Sequence, residues 1–410
     1  DIAPYADSDD LPGAIGSDGL RIRVQACVAD FVGLENCKYF TFRDASGVVT
    51  KSLKPSGILL DYGYADSASE SARAEFGLIS GSYDNNLSGG VLRKNMGNVN
   101  DEVKADGTFC HKAASPCAGG IIKSFDAFRL YAAGAASYTT DASFSWVMPS
   151  SLTNKKFPSW GNPVGEMLIE ALSYFANTGK SDYNNVQAVS IDSALGLPAP
   201  NWQDPLNDLL DVSGAVNLKR GQAYGKSICR PMSTLAISSS SVSFDRDEVA
   251  KFDNAMPNRS GDTLASFTDM VGDREGINES VRSVASVTGD WGQDCTSKTV
   301  THLWEVSGIC PEAPATKGSF LSAGAALYGN TRAIRTTEGR GKNIPGFEQK
   351  SLPSDLPGYA LRVKTLAAAM GGGVARIEVT DPSSGAKAYI TPESIWDVRS
   401  KIPGLPTAWL

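Results

Sequence analysis

The sequence predicts an α/β fold: a sheet flanked by helices and interrupted by large β-rich and irregular insertions pinned by disulfides. Three observations carry this reading. Beyond Pro163, the residues Val164, Met167, Leu168, Ala171, Leu172 and Phe175 recur at three and four, the period of an amphipathic helix, with Pro163 suited to its start and Gly179 to its end. Met232 to Ile237 is a short apolar run that enters four serines, the form of a buried parallel strand feeding a loop at its C-terminal edge. Extra β-like material lies on both sides of this helix and strand, as insertions into an α/β core would.

Taken in order, residues 1–20 are rich in Asp, Gly and Pro without a sustained period and read as an irregular lead-in. Asp7, Asp9 and Asp10 resemble part of a calcium loop, but the downstream Glu and the fixed spacing are missing. Residues 21–155 form a β-rich, mixed region. In it Leu20 to Val28 alternates as a half-buried strand, Ser56 to Tyr64 and Ala74 to Ile79 are strand-like, and Gly89-Gly90 is a tight turn before Val91. Ile121 to Tyr131 has mostly helical spacing. Residues 156–345 hold the α/β core, with an irregular excursion over 180–228 and helix candidates at Asp262 to Val271, Glu279 to Val287 and Phe320 to Tyr328. Residues 346–410 supply a terminal strand, Tyr359 to Leu366, and a β-hairpin from Ala375 to Val379 and Ala388 to Ile390.

Composition narrows the function. The 410 residues carry a net charge of −7 with no block of like charge, so the clustered basic face that nucleic acid demands is missing. No apolar run is long enough to span a membrane as a helix. The chain starts Asp1-Ile2-Ala3-Pro4, without Met or a leader pattern, and reads as a processed or excised piece. Only two histidines, His111 and His302, are present, and neither sits beside a nucleophile motif, so histidine-dependent catalysis is disfavoured.

Seven cysteines fall at Cys27, Cys37, Cys110, Cys117, Cys229, Cys295 and Cys310. Their spacing suits short disulfide loops in an oxidising compartment and matches no zinc or redox motif. The expected bonds are Cys27–Cys37, Cys110–Cys117 and Cys295–Cys310, with Cys229 left over; buried free thiols are the alternative.

Other constellations are sparse. Asp141, Ser143 and Ser145 match D-x-S-x-S, in which a carboxylate and two hydroxyls hold Mg or Ca; the run ahead of them is small and polar rather than an apolar strand, so they are weak metal candidates. Glu166 and Glu170 stand at i, i+4, either as a carboxylate pair or, more commonly for helical acids, as a solvated face. Ser238, Ser239, Ser240 and Ser241 either line a ligand site or form a flexible loop.

Several unusual strings occur in one order: RIRVQACVADFVGLENC (21–37), KPSGILLDYGYAD (54–66), GGVLRKNMG (89–97), SWGNPVGEMLIEALSYFA (159–176), NWQDPL (201–206), CRPMSTLAISSSSVSFD (229–245) and CTSKTVTHLWEVSGICPEAPATKGSFLSAGAALYGNTRAIR (295–335). Together they resemble the PilC/PilY-type adhesins of type IV pilus tips. That resemblance implies a von Willebrand factor A-like α/β domain with large insertions, an extracellular place at the pilus tip, and minor pilins and a host-cell or abiotic surface as partners. It also implies a contact face at the end of the sheet, near Asn162 and Ser238 to Ser241. Asn162 stands where relatives offer a Thr to a metal, and Ser239 where many have an Asp, so cation binding is expected to be weak or absent. No other cofactor is implied, and the C-terminal β-propeller of full-length relatives has no counterpart. Two rival functions are a structural subunit of an extracellular filament or cap, and a secreted hydrolase.

Overall fold

The computed structural model describes residues 26–43, 46–65, 72–104, 107–110, 120–128, 154, 161–180, 191–205, 231–238, 241–289, 295–308, 310, 317–334, 361–369, 377–380, 382–385 and 387–390. Helices and short strands are interleaved along the chain, so the α/β expectation holds at that coarse level.

The core forms around the helix that the periodicity predicts. α3 runs from Val164 to Ala176 and buries Leu168, Ile169, Leu172 and Phe175, one stripe of a 3.6-residue period. It ends at Asn177, whose left-handed φ of 54° takes the capping role expected of Gly179; the short polar side chain of Asn tolerates that region. α6, Leu264–Arg274, opens on a reciprocal cap: the Ser266 N–H donates to the Thr263 hydroxyl at 3.1 Å and the Thr263 N–H to the Ser266 hydroxyl at 2.9 Å. α7, Leu321–Thr331, packs against both. A Cβ on Gly324 would lie 2.2 Å from Thr268 Oγ1 and 2.7 Å from its N, so α6 and α7 approach backbone to backbone where only Gly fits. Phe252 on α5 (Val249–Ala255), Phe267 and Tyr328 meet edge to face with centroids 4.9 to 6.3 Å apart.

Against these helices lies the parallel pair β5, Met232–Ser238, and β8, Val363–Ala369, in register from Met232 opposite Val363 to Ser238 opposite Ala369. The apolar run before the serines is thus a parallel strand, as expected, but the expectation that it is buried is corrected, since Met232 alone of its residues is buried. Its outer face is bare among the described residues: Leu235, Ile237 and Leu366 are about half exposed.

A second small core lies under the antiparallel pair β1, Cys37–Arg43, and β2, Val49–Pro55. Phe40 and Phe42 pack there with Leu60 of α1 (Ile58–Gly63), Val99 and Val103. The strand expected over Ser56 to Tyr64 is this helix instead. Only Leu60 and Gly63 are buried, three apart on one side, and so short an apolar run does not distinguish the two periods. β3, Phe76–Ser80, and β4, Val91–Gly97, pair antiparallel, with Gly89-Gly90 turning into β4 as predicted. α2, Ile121–Ala127, realises the first part of the helix expected at Ile121 to Tyr131; residues 129–131 lie outside the described residues. A short helix, α4, Ile191–Ala194, interrupts the expected irregular excursion.

The helix expected over Glu279 to Val287 is corrected too: β6, Ser280–Val284, pairs antiparallel with β7, Thr296–Val300. Val281, Val284 and Val287 mimic a helical spacing, but β-branched side chains favour the strand once a partner is present. β9, Ile377–Thr380, and β10, Lys387–Ile390, form the expected C-terminal hairpin.

Cys27–Cys37 and Cys295–Cys310 are bonded as expected, each with Cα atoms 5.8 Å apart. Cys110 is also disulfide-bonded. Cys117 and Cys229 lie outside the described residues, as do residues 20–25 of the expected first strand; residues 26–28 of that stretch are irregular, and Cys27 has a φ of 59°.

Candidate binding face at the end of the parallel pair

Three loops converge where β5 ends and α3 begins. Gly161 has a φ of +94°, and a Cβ there would meet the Asn86 carbonyl at 2.1 Å, so glycine is required for the chain to pass. Asn162 follows and bridges to Ser243: its N–H donates to the Ser243 hydroxyl at 2.9 Å and its carbonyl accepts from the Ser243 N–H at 3.0 Å. The Asn162 side-chain amide donates to the Ser238 hydroxyl at 2.8 Å and to the Ser241 carbonyl at 3.0 Å. Residues that sequence reading placed on one candidate face are therefore joined: Asn162, Ser238 and Ser241 meet. Ser239 and Ser240 lie outside the described residues, as do Asp141, Ser143 and Ser145.

Beneath this polar rim sit two buried acids. Glu166, on the first turn of α3, accepts from the Gly89 N–H and from the Asp247 N–H, the latter at 2.7 Å, and so ties two loops to the helix start. Burial pushes its carboxyl up to about 9, with the two backbone donors working in the opposite direction. Asp245 is wholly buried, and neither carboxylate oxygen meets a donor at hydrogen-bonding geometry. Its Oδ2 would be 2.8 Å from a Cβ on Gly165, so the carboxylate lies against the first turn of α3. Burial raises its pKa to about 6, and Ser319 is near enough to hold part of that rise back. Between Ser243 and Asp245, Phe244 adopts a φ of 51°, a left-handed conformation that an aromatic residue rarely takes.

The solvated-face reading of Glu166 and Glu170 is overturned, since both are wholly buried. Glu170 pairs with Lys251, which also approaches Glu248 at 3.7 Å. Each acid serves a different partner, an arrangement that fixes loops rather than one that shares a substrate. Arg246 leaves the rim in the other direction: its guanidinium donates to the Trp304 carbonyl at 2.9 Å and lies 5.7 Å from the Trp304 ring. His302 is bonded to Asp269 at 2.8 Å and is half exposed; His111 lies outside the described residues.

Chemically, the rim offers amide and hydroxyl groups suited to hydrogen-bonded recognition. Its donors to a cation would be the neutral oxygens of Asn162, Ser238 and Ser241, already engaged with one another, which does not fit the charged hard-oxygen set a Mg or Ca ion needs. Among the described residues, one other group has metal-ligand types in reach, Cys27, Glu35 and Cys37, and both sulfurs there are in a disulfide. Sequence reading missed Asp245 and Glu166 as buried acids. Acidic side chains are ordinarily exposed, and nothing in the order of residues marks these two as exceptions.

The order of elements, the parallel pair and the loop cluster at its C-terminal end define an α/β module with a polar rim at one end of the pair. The family described as "PilY1 homolog, second domain" matches residues 76–329, more than half of the chain, and the chain belongs to that family. It is 29% identical over 333 residues to the Type IV pilus biogenesis factor PilY1 homolog of Xylella fastidiosa (strain Temecula1 / ATCC 700964), an alignment that covers 77% of this chain and 21% of that relative. The chain thus spans about a fifth of the relative's length. No solved structure matches.

Proposed function

We propose that this chain is a non-enzymatic module of a type IV pilus assembly, extracellular and mounted near the pilus tip, that serves pilus biogenesis and attachment. The observation that carries the reading is the family match over residues 76–329, the stretch that contains the loop cluster around Asn162 and Glu166. The disulfides Cys27–Cys37 and Cys295–Cys310 support an oxidising compartment outside the cytoplasm. In this reading β5 and β8 belong to a von Willebrand factor A-like sheet, and the face formed by Asn162 and Ser238 to Ser241 meets minor pilins or a host-cell or abiotic surface. Attachment through this face does not depend on a divalent cation, because its donors are neutral.

The test is a deletion of the segment equivalent to residues 76–329 within the full-length protein, scored for surface pili by electron microscopy and for attached cells. Loss of either supports the reading; unchanged piliation together with unchanged attachment refutes it. Calorimetry with Mg, Mn and Ca on the folded chain tests the cation clause, and micromolar binding abolished by Asn162→Ala would overturn that clause alone.

A further inference from the structure

Residues 27–37 form a loop closed by the Cys27–Cys37 disulfide. Its backbone is bonded internally: the Phe31 N–H donates to the Val28 carbonyl and the Glu35 N–H to the Val32 carbonyl, both at 2.8 Å, and the Cys27 N–H donates to the Glu35 carboxylate. Gly33 reverses the chain with a φ of +52°. The Asn36 carbonyl accepts from the Ser56 N–H at 2.7 Å, which holds the loop against the start of α1. A loop so braced nevertheless presents Phe31 at 81% and Leu34 at 106% exposure. Only Val32 and Gly33 separate them, so the crest carries no charge. The adjoining elements expose further apolar and aromatic side chains: Tyr39 on β1 and Ile58 and Tyr62 on α1 are all about half exposed or more, with the Lys51 ammonium 5.2 Å from the Tyr39 ring and the Arg73 guanidinium 4.4 Å from the Tyr62 ring.

We propose that this braced crest is an insertion tip for the interface of an uncharged, zwitterionic lipid bilayer. Three features select that occupant. First, two protruding side chains offer only ~300 to 400 Å², well below the ~1,200 Å² of a stable protein interface, whereas interfacial lipid binding scales with apolar area and needs no shaped partner. Second, charge does not draw the region to anionic headgroups: over 27–63, Lys38, Arg43, Lys51 and Lys54 are balanced by Asp30, Glu35, Asp44 and Asp61, and Lys38 is paired with Asp61. Third, the elements that adjoin the crest expose aromatic rings with cations beside them, the residue types favoured at the headgroup level. This inference does not depend on the pilus reading; a vesicle assay and a piliation assay can fail separately.

The test is co-flotation of the full chain with phosphatidylcholine vesicles at low and high NaCl. The expected result is partitioning that is insensitive to salt and drops at least about tenfold in the F31S/L34S double variant, each side chain supplying a substantial apolar transfer term. Because both residues are exposed, the variant's melting temperature should match the parent's, and the double variant L235S/L366S, altered on the bare sheet face, should float as the parent does. Absence of co-flotation, or equal partitioning of parent and F31S/L34S, overturns the proposal. So does binding confined to phosphatidylglycerol vesicles and abolished by salt, which would assign it to headgroup charge. Dimerisation without lipid that F31S/L34S abolishes would assign the tip to a second copy instead.

Discussion

The helical core around α3 and the stapled region around β1 and β2 solve the same problem by different means. The core buries a continuous apolar cluster contributed by four helices and a parallel pair, and takes in Glu166, Glu170 and Asp245 as well. The region at 27–64 has a handful of buried side chains, chiefly Phe40, Phe42 and Leu60, and relies on a disulfide to close it. A large core can absorb the cost of desolvating acids because many apolar groups share one interior. A small one cannot, and covalent closure substitutes for area. The polar rim around Asn162 grows from the large core; the apolar crest grows from the stapled region.

The largest effect should come from breaking the core. Phe267→Ala removes a ring that contacts both Phe252 and Tyr328, and unfolding by denaturant should show a loss of about 4 kcal/mol. A loss under about 1 kcal/mol would mean that the aromatic cluster is not the centre of stability. Next, replacing Cys27 and Cys37 together with Ser should cost about 2 to 3 kcal/mol by freeing the unfolded chain. Hydrogen exchange should localise the loosening to β1 and β2; equal loosening of α3 would show that the two regions unfold as one.

Proton linkage sharpens the contrast from the other side. Glu166 and Asp245 have folded pKa values raised to about 9 and about 6, above the ordinary 4.5 and 3.8, so the folded state holds more protons than the unfolded chain between those limits. Stability should therefore decline as pH rises from about 4 through about 9, because these two groups must release protons that the folded state holds. Denaturant titrations at pH 5, 7 and 9 would reveal it, and a rise in stability over that range would contradict the burial of these acids. The smallest effect is expected at the bare face of the parallel pair. Leu235→Ser should change stability by less than about 0.5 kcal/mol, since the side chain is half exposed; a larger loss in the full-length protein would show that another element covers it there.

Strong periodicity was legible in the sequence. The 3.6 spacing from Val164 to Phe175 identifies α3 within a few residues, and the run Met232 to Ile237 identifies a strand and even its parallel pairing. Cysteine spacing named two disulfides that the structure contains. Weak signals misled: Ser56 to Tyr64 and Glu279 to Val287 are short and apolar at ambiguous spacing, and the choice between helix and strand fell to Leu60 packing on Phe40 and Phe42 and to β7 pairing with β6. The candidate face was half visible, because Asn162 and the serines bracket predicted elements, while their convergence needs the Asn162–Ser243 bridge between residues eighty-one apart.

By itself, then, the sequence determined the local periods, the pairing of Cys27 with Cys37 and Cys295 with Cys310, the lack of any long run of basic residues and the membership of a family through strings of unusual residues. Those properties are written in neighbouring positions or in composition. Only the tertiary structure decided which acids are buried, that Gly161 and Gly324 mark backbone contacts, and that Phe31 and Leu34 point outward on a braced loop. Burial and close approach depend on which distant segments arrive at the same place, and a one-dimensional pattern carries that information only where a period is long enough to fix a face.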